Sequence, residues 1–366
     1  MKQVTAQRFV PLAKKVEERV AGYRELGADG GPWIVSYLSI GSRSIPRVAT
    51  RLDRGDRLGA LRVRLGFGRD RYRILPGLYA VGSPGAESPV LVSANYKLSF
   101  DTLRRELGGL DLWILVIDTK GVNVWCAAGK GSFGTAELVA KIGRCRLDEI
   151  VAHRELILPQ LGAAGVSGPE LQRLSGFRAV WGPVRARDIG AFLAAGKKKT
   201  EVMSRVSFDL GERLLLAPIE IVHAWPTLLA ALCLGLLAGL PFGPGWVERS
   251  LAVAIVLVGA VLAGAAGFPA LLFALPSRSF AIKGAVLGAL WGGLASWAFG
   301  LPMGLAAGMS LVSSAVVAWI GLNFTGSTTF TSPSGAAKEV ERTMLPAAIG
   351  TGAGLVLATL AIALRF

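Results

Sequence analysis

Apolar residues are distributed in two different ways along this chain, and the change falls near residue 222. Before it, short apolar runs alternate with stretches of helical periodicity. Leu78–Val81, Val90–Asn95, Leu112–Asp118, Glu155–Leu158 and Ala179–Trp181 read as strands. Ser99–Leu107, Thr135–Ile142, Glu170–Leu174 and Ala186–Ala195 read as helices, and Leu147–Arg154 as a further helix with His153 on its polar face. Strands alternating with helices predict a mostly parallel sheet covered on both faces, a Rossmann-like α/β domain over residues 1–222. The first seventy residues are less regular, and 201–222 read as a last strand followed by an interfacial segment.

From residue 223 to 366 the pattern predicts an all-α membrane domain of five transmembrane helices, at about 226–242, 251–275, 284–301, 303–322 and 345–364. Each stretch lacks charge and is long enough to cross a hydrocarbon core of ~30 Å. The first is short, bounded by Pro226 and Pro241. Arg278 and Lys283 fall between the second and third, and Lys338 and Arg342 between the fourth and fifth. Lys197-Lys198-Lys199 precedes the first. Positive connectors favour the cytoplasm, which predicts a multi-pass protein of the cytoplasmic membrane with its N-terminal domain inside and Phe366 outside. Glycines recur at four-residue spacing: Gly235 and Gly239, Gly284 and Gly288, Gly304 and Gly308, Gly350 and Gly354. Such pairs let helices approach closely. A transport path usually leaves ionisable residues inside the membrane. These spans have none, which favours an anchoring or partner-docking bundle. A polar loop is expected from Asn323 to Thr343.

The net charge of +15 sharpens this division, because only Arg249, Arg278, Lys283, Lys338, Arg342 and Arg365 follow residue 224. The basic residues of the first half are scattered rather than striped, which argues against nucleic acid. Membrane lipid of the anionic leaflet is the better-matched partner. The opening residues are polar and basic without an apolar core segment, unlike a signal peptide.

The chemistry centres on one segment, Asn123-Val124-Trp125-Cys126-Ala127-Ala128-Gly129-Lys130, which follows the Leu112–Asp118 strand and precedes a glycine-rich stretch and a helix. Open α/β folds present ligands at such junctions. It is not a Walker A loop, since Val124 stands at the first glycine position and Gly131 at the Ser/Thr position. Gly129–Gly134 spells G-x-G-x-x-G, but about ten residues beyond the strand rather than at its end. Cys126, Cys145 and Cys233 are widely separated and form no CxxC pair, disulfide framework or cluster-ligand set. Cys126 has three readings: a packed core thiol, a catalytic thiol, or a ligand to a metal that brings its other ligands with it. Catalysis would need a base, and neither His153 nor His223 is placed beside it by the sequence.

The eight residues closely resemble the cap-helix signature of mercury-methylating corrinoid proteins, which allows Val or Ile second and Ala or Gly sixth. Ser93-Ala94-Asn95-Tyr96-Lys97-Leu98-Ser99 and Leu158-Pro159-Gln160-Leu161-Gly162-Ala163 resemble the same family. They are also similar to the corrinoid domain of the corrinoid iron–sulfur protein of the acetyl-CoA pathway, a relative without a five-span tail. The Asp-x-His-x-x-Gly motif of histidine-ligated cobalamin proteins is missing, since Val151 and Leu156 flank His153 at the required offsets.

The resemblance implies a corrinoid (a cobalamin in its base-off state) with the Cys126 sulfur as ligand beneath cobalt. It implies methyl transfer to Hg(II) as substrate, giving methylmercury, with electron donation from the sulfur favouring release of methyl as a carbanion equivalent. It further implies a ferredoxin-like iron–sulfur electron donor and an upstream methyl donor or methyltransferase. Asn123, Val124, Trp125, Ala127, Ala128, Gly129 and Lys130 would complete the cofactor-binding segment. Asn123 would fix the turn or bond near the sulfur, Trp125 pack on the corrin, Gly129 permit close approach, and Lys130 reach an amide or phosphate. Two other readings compete: a membrane-tethered corrinoid methyl carrier of one-carbon metabolism, and a non-enzymatic membrane signalling or binding protein.

Overall fold

The computed structural model describes residues 31–238, 240, 244–325, 328 and 333–364. The opening residues, Gly239, Pro241 and Phe366, all invoked above, lie outside the described residues. The chain divides into two compact units. One runs to Val63 and resumes over Phe67–Val206; the other comprises Arg64–Gly66 and the chain from Ser207 onward.

The first unit is built on a seven-stranded sheet. Its strands are β1 (Ile34–Ile40), β2 (Arg43–Val48), β3 (Gly77–Val81), β4 (Val90–Ala94), β5 (Leu112–Ile117), β6 (Glu155–Leu158) and β7 (Arg178–Trp181). Their order across the sheet is β1-β2-β3-β5-β4-β6-β7. The block β5-β4-β6-β7 is parallel. β2 also pairs with β3 in parallel, in line with the mostly parallel expectation, whereas β3 runs antiparallel to β5, and β1 and β2 form an antiparallel hairpin in the segment read as irregular. Ile40 pairs with Arg43 across a two-residue turn in which Gly41 takes a positive φ of 58°, suited to a tight hairpin. The sheet is therefore mixed.

The central strands β4 and β5 are buried along their whole length, so their sequences, VLVSA and LWILVI, are nearly uninterrupted apolar runs. On one face, helices Thr135–Cys145 and Gly168–Ser175 set Leu138, Ile142 and Leu171 over Val92, Leu115 and Ile117. On the other, helices Lys97–Arg105 and Ile189–Ala194 set Phe100 and Phe192 over Leu91, Ile114 and Val116. The chain thus leaves β4 toward one face and β5 toward the other. Adjacent parallel strands whose connections diverge in this way open a crevice at their carboxyl ends.

Two further expectations are corrected. Residues 201–222 contain no strand: they form short helices Glu201–Ser204, Leu210–Leu214 and Ala217–His223. The Thr200 hydroxyl accepts the Met203 N–H, Asp209 Oδ1 accepts the Glu212 N–H at 3.0 Å, and Pro218 sits in the first turn of the last helix. These are helix-start signals that outweigh the apolar run between them. His153 lies outside a helix, after a single 3-10 turn at Leu147–Glu149, with Nε2 at 2.9 Å from the Ser88 carbonyl.

In the second unit, helices Trp246–Leu271, Phe280–Ala298, Met303–Phe324 and Gly335–Ala363 are long and apolar enough to cross a membrane. Trp225–Ala238 has 14 residues, about 21 Å of helix, which is short of a span by itself. It makes a fifth candidate only when joined to Leu210–His223 across a 60° bend. Of the expected Asn323–Thr343 loop, the described residues are mostly helical: one helix runs to Phe324 and the last begins at Pro333. A side chain at Gly284 would fall 2.6 Å from the Val317 carbonyl oxygen, and one at Gly308 2.7 Å from that of Gly354. Such approach between helix backbones is what the glycine pairs predicted. Gly350 differs: nothing lies within 4 Å of the place its side chain would take.

Candidate functional site

The segment from Asn123 to Lys130 follows β5 at the divergence just described. Val124–Gly129 forms a six-residue helix. Asn123 is its N-cap, in extended conformation, with Oδ1 accepting the Cys126 backbone N–H at 2.9 Å. The helix is anchored on its inner side, where Ala127 and Ala128 are buried and join Phe133 in the core. The Ala127 carbonyl accepts the N–H groups of Ser132 and Phe133, folding the glycine-rich stretch back over the helix end. Gly165 lies so close behind that a side chain there would overlap the Phe133 carbonyl oxygen and fall 3.0 Å from Ala128 Cα.

The outer side is different. Trp125 is 36% exposed, Cys126 is half-buried, and Gly129 and Lys130 are exposed. Nothing lies within 4 Å of where side chains at Gly129 and Gly131 would stand. Of the eight residues singled out from the sequence, Ala127 and Ala128 therefore serve the core and Val124 packs beside it. Asn123 positions the helix, while Trp125, Cys126, Gly129 and Lys130 form an open face. His153 is held instead at the Ser88 carbonyl. Cys145 is half-buried at the end of its helix, where burial pushes its thiol up, and Cys233 is exposed.

A polar network missed from the sequence holds the loop that leads into this helix. Asn95, at the end of β4, accepts from Thr119 N, Gly121 N and the Thr119 hydroxyl through one oxygen. Its amide nitrogen donates to Asp118 Oδ1 at 3.0 Å. The Asp118 N–H donates to Glu137 Oε1 at 2.9 Å, from the helix behind. Glu137 is buried, as is Lys141 one turn later, whose ammonium is pushed down by burial. Asn95 stood within a segment read as a family likeness, but its partners are 23 to 26 residues away.

Below this network, Lys97 and Arg104 bind Asp56 and Asp101 in a closed ring. Lys97 Nζ lies 2.6 Å from Asp56 Oδ1 and 2.5 Å from Asp101 Oδ2. Arg104 Nη2 lies 2.6 Å from Asp56 Oδ2, and its Nε 2.8 Å from Asp101 Oδ1. All four residues are buried. Each charge has partners of opposite sign, so the ring is a structural tie of helices Arg54–Arg64 and Lys97–Arg105.

Among the described residues, no group of three or more His, Cys, Asp and Glu side chains could hold a metal ion. A metal meeting Cys126 would bring its remaining ligands with it. A half-buried thiol beside a partly exposed indole, with unobstructed glycines one turn on, fits a large planar ligand of that kind.

The protein class defined so far is a three-layer α/β domain with a thiol-bearing cap helix at its strand-order switch, joined to a bundle of long apolar helices. Residues 69–193, about a third of the chain, match the family model of the CO dehydrogenase/acetyl-CoA synthase delta subunit. The chain is 31% identical over 127 residues to an acetyl-CoA decarbonylase/synthase complex subunit gamma of Archaeoglobus fulgidus, covering 34% of this chain and 27% of that protein. The corresponding subunit of Methanopyrus kandleri is 32% identical over 127 residues, covering the same shares. The corrinoid/iron-sulfur protein large subunit of Moorella thermoacetica is 30% identical over 125 residues, covering 34% of this chain and 28% of that protein. The chain spans little more than a quarter of the length of these relatives.

Proposed function

We propose that the first unit binds a corrinoid against the open face of the Val124–Gly129 helix and acts as a methyl carrier, with Hg(II) as the methyl acceptor. The carrying observation is the outward placement of Trp125, Cys126 and Gly129 at the carboxyl ends of β4 and β5. The likeness to subunits of acetyl-CoA decarbonylase/synthase and to a corrinoid/iron-sulfur protein supports the corrinoid part of this reading. The Hg(II) part rests on the resemblance of the eight-residue signature.

The bound corrinoid would supply the cobalt that takes and gives up the methyl group. The residues of the chain do the rest. Cys126 would hold the metal through its sulfur, and a metal-bound thiol stays deprotonated without a neighbouring base. Asn123 fixes the backbone beneath that sulfur. Trp125 and the bare Cα atoms of Gly129 and Gly131 allow a flat ligand to lie close. Lys130 stands at the end of the helix, exposed and able to meet an amide or phosphate oxygen. A ferredoxin-like protein supplies the electrons that return the carrier to its reactive state, and an upstream methyltransferase supplies methyl. The second unit inserts in the cytoplasmic membrane and holds the carrier at its inner surface.

A second reading keeps the carrier but gives the methyl group to one-carbon metabolism, as the names of the relatives favour. The test uses the full chain purified in detergent and supplied with cobalamin. The wild type is expected to become coloured with a spectrum that Cys126→Ala shifts toward water ligation. The methylated protein is then mixed with Hg(II). Methylmercury from the wild type and none from Cys126→Ala supports the first reading. Stable methylated protein that ignores Hg(II) supports the second, and a colourless protein removes both.

A further inference from the structure

We infer that Asn95 is a positioning residue for Cys126: a latch from β4 that sets the height of the thiol above the sheet. The inference rests on the corrinoid reading for its consequence, but its geometry is independent of it. The loop from Asp118 to Val122 must turn sharply from β5 into the cap helix. It does so with two successive residues at positive φ, Lys120 at 58° and Gly121 at 75°. A non-glycine residue in that region is strained, so surrounding contacts must hold it there.

Asn95 provides most of those contacts. It is 2% exposed, and every polar group it carries is used. Its backbone N–H donates to the Ile117 carbonyl at 3.1 Å and its carbonyl accepts the Ile74 N–H at 2.9 Å, which fixes it to β5 and to the segment before β3. Its side-chain oxygen lies 3.0 Å from Thr119 N, 3.0 Å from Gly121 N and 2.9 Å from the Thr119 hydroxyl. Its side-chain nitrogen lies 3.0 Å from Asp118 Oδ1, which also accepts the Lys120 N–H at 2.9 Å. One amide therefore touches three residues of the loop, Asp118, Thr119 and Gly121, and Asn123 stands two residues beyond the last of them. From Asn123 the next tie is its own bond to the Cys126 N–H. Between the two sets of bonds only Val122 intervenes, its carbonyl held by the Thr119 hydroxyl, so the backbone carries the constraint on to Asn123.

The chemistry of the pair suggests its own control. In Asn95→Asp, an oxygen still faces the three donors, but a second carboxylate now meets Asp118. In the double variant Asn95→Asp/Asp118→Asn, the carboxylate and amide exchange places. The new amide nitrogen donates back across the same gap and removes the repulsion between two carboxylates, but it takes the place of the oxygen that accepted the Lys120 N–H, so that one bond is given up. The bond between β4 and the loop is restored with donor and acceptor reversed.

The test is made on the full chain in detergent, with Cys145→Ala and Cys233→Ala as background, using two measurements. The first is the rate at which a water-soluble disulfide reagent modifies Cys126 without corrinoid. The second is the spectrum and affinity for added cobalamin. Asn95→Ala and Asn95→Asp are expected to change the modification rate by about tenfold, the scale of a lost buried hydrogen bond. They are also expected to weaken cobalamin binding by a similar factor with a shift toward water ligation. The double variant, which regains the bond across the gap but not the one to Lys120 N, is expected to recover part of the loss seen in Asn95→Asp in both values. Unchanged thiol reactivity in both single variants would overturn the latch. So would a folded double variant that stays as impaired as Asn95→Asp. If Asn95→Ala does not fold, the charge-exchange pair carries the test alone. Altered thiol reactivity, partly restored by the exchange, in a protein that takes up no cobalamin at all would leave the latch standing and remove the corrinoid reading.

Discussion

The side-chain oxygen of Asn123 accepts the backbone N–H of Cys126 at 2.9 Å, so the residue that opens the cap helix also fixes the residue that bears its thiol. A six-residue helix is too short to persist on local propensity. Its cap therefore matters more than it would in a long helix. Asn123→Ala should cost ~1 kcal/mol locally, while Asn123→Asp should hold the same bond. Hydrogen exchange at Cys126 and the residues after it is expected to accelerate roughly fivefold in the alanine variant, with little change elsewhere. Equal exchange in both variants would show that the cap contributes nothing.

Two glycines near the cysteine helix should respond oppositely to alanine. At Gly165 the added carbon would overlap the Phe133 carbonyl oxygen and press on Ala128. Overpacking of this kind costs ~1–3 kcal/mol, and Gly165→Ala should lower the thermal midpoint of the first unit. At Gly129 the space is empty, so Gly129→Ala should leave the midpoint unchanged or raise it slightly. If that open face receives a corrinoid, Gly129→Ala should nonetheless weaken cobalamin uptake. A glycine that is neutral for stability and costly for binding separates a ligand face from a packing face.

How much of this was legible beforehand follows from what burial does to sequence. β3 to β6 stood out because strands covered on both faces become apolar runs, and LWILVI at β5 is the clearest of them, while the half-buried β7 was marked by its short Ala-Val-Trp run. The β1–β2 hairpin was not visible: β1 alternates between exposed and half-buried positions, as an edge strand does, and its residues Ser36, Tyr37 and Ser39 look like loop. Strand direction was also hidden, because period-two patterning is the same whether β3 runs with β5 or against it. At the candidate site, Asn123 and Cys126 could be found together because they lie three residues apart. Asn95, Glu137 and Gly165 could not be connected to them, since those contacts exist only once the chain has crossed the sheet.

The ring of Asp56, Lys97, Asp101 and Arg104 predicts a particular response to acid. Burial pushes the Asp56 carboxyl up, but hydrogen bonds from Lys97 and Arg104 outweigh it and hold the group below the usual carboxylate range. A carboxylate whose folded value is depressed stabilises the fold above its unfolded value of ~3.9, and this stability is lost as pH falls through the lower folded value. Asp56→Asn leaves Lys97 and Arg104 short of a partner and should cost ~3–5 kcal/mol at neutral pH. Its stability should also fall less steeply than the wild type's below about pH 4. Denaturant melts from pH 7 to pH 3 measure both, and parallel curves would exclude Asp56 as a source of the acid response.

At the alkaline end, Tyr72 gives the opposite sign. Burial, followed by the Asp101 and Asp56 carboxylates, pushes its hydroxyl up to about 12. A raised value means that the neutral phenol is favoured in the fold. Its contribution is complete below the unfolded value of ~10 and disappears as pH rises through about 12. Ultraviolet titration of the phenolate in wild type and Tyr72→Phe should show one late-titrating tyrosine missing from the variant. A difference spectrum centred near pH 10 would contradict the placement of Tyr72 beside the acids of the ring.

In the second unit, Gly288 and Gly350 test whether helix contact or membrane composition explains the abundance of glycine. A side chain at Gly288 would overlap the Ser313 carbonyl oxygen and fall 2.7 Å from Ser314 Cα, so helices Phe280–Ala298 and Met303–Phe324 would have to separate. The same helices are held by the Ser314 hydroxyl donating to the Ala285 carbonyl at 3.0 Å, a bond that separation would lengthen. Gly350 faces open space. Gly288→Ala should therefore destabilise the bundle by ~1–3 kcal/mol, and Gly350→Ala should be close to neutral. Thermal unfolding of the full chain in detergent, followed by far-ultraviolet circular dichroism, separates the two. A midpoint that drops equally for both variants would mean that the glycines act through the flexibility of each helix, and the close backbone contact at Gly288 would no longer account for the bundle's stability.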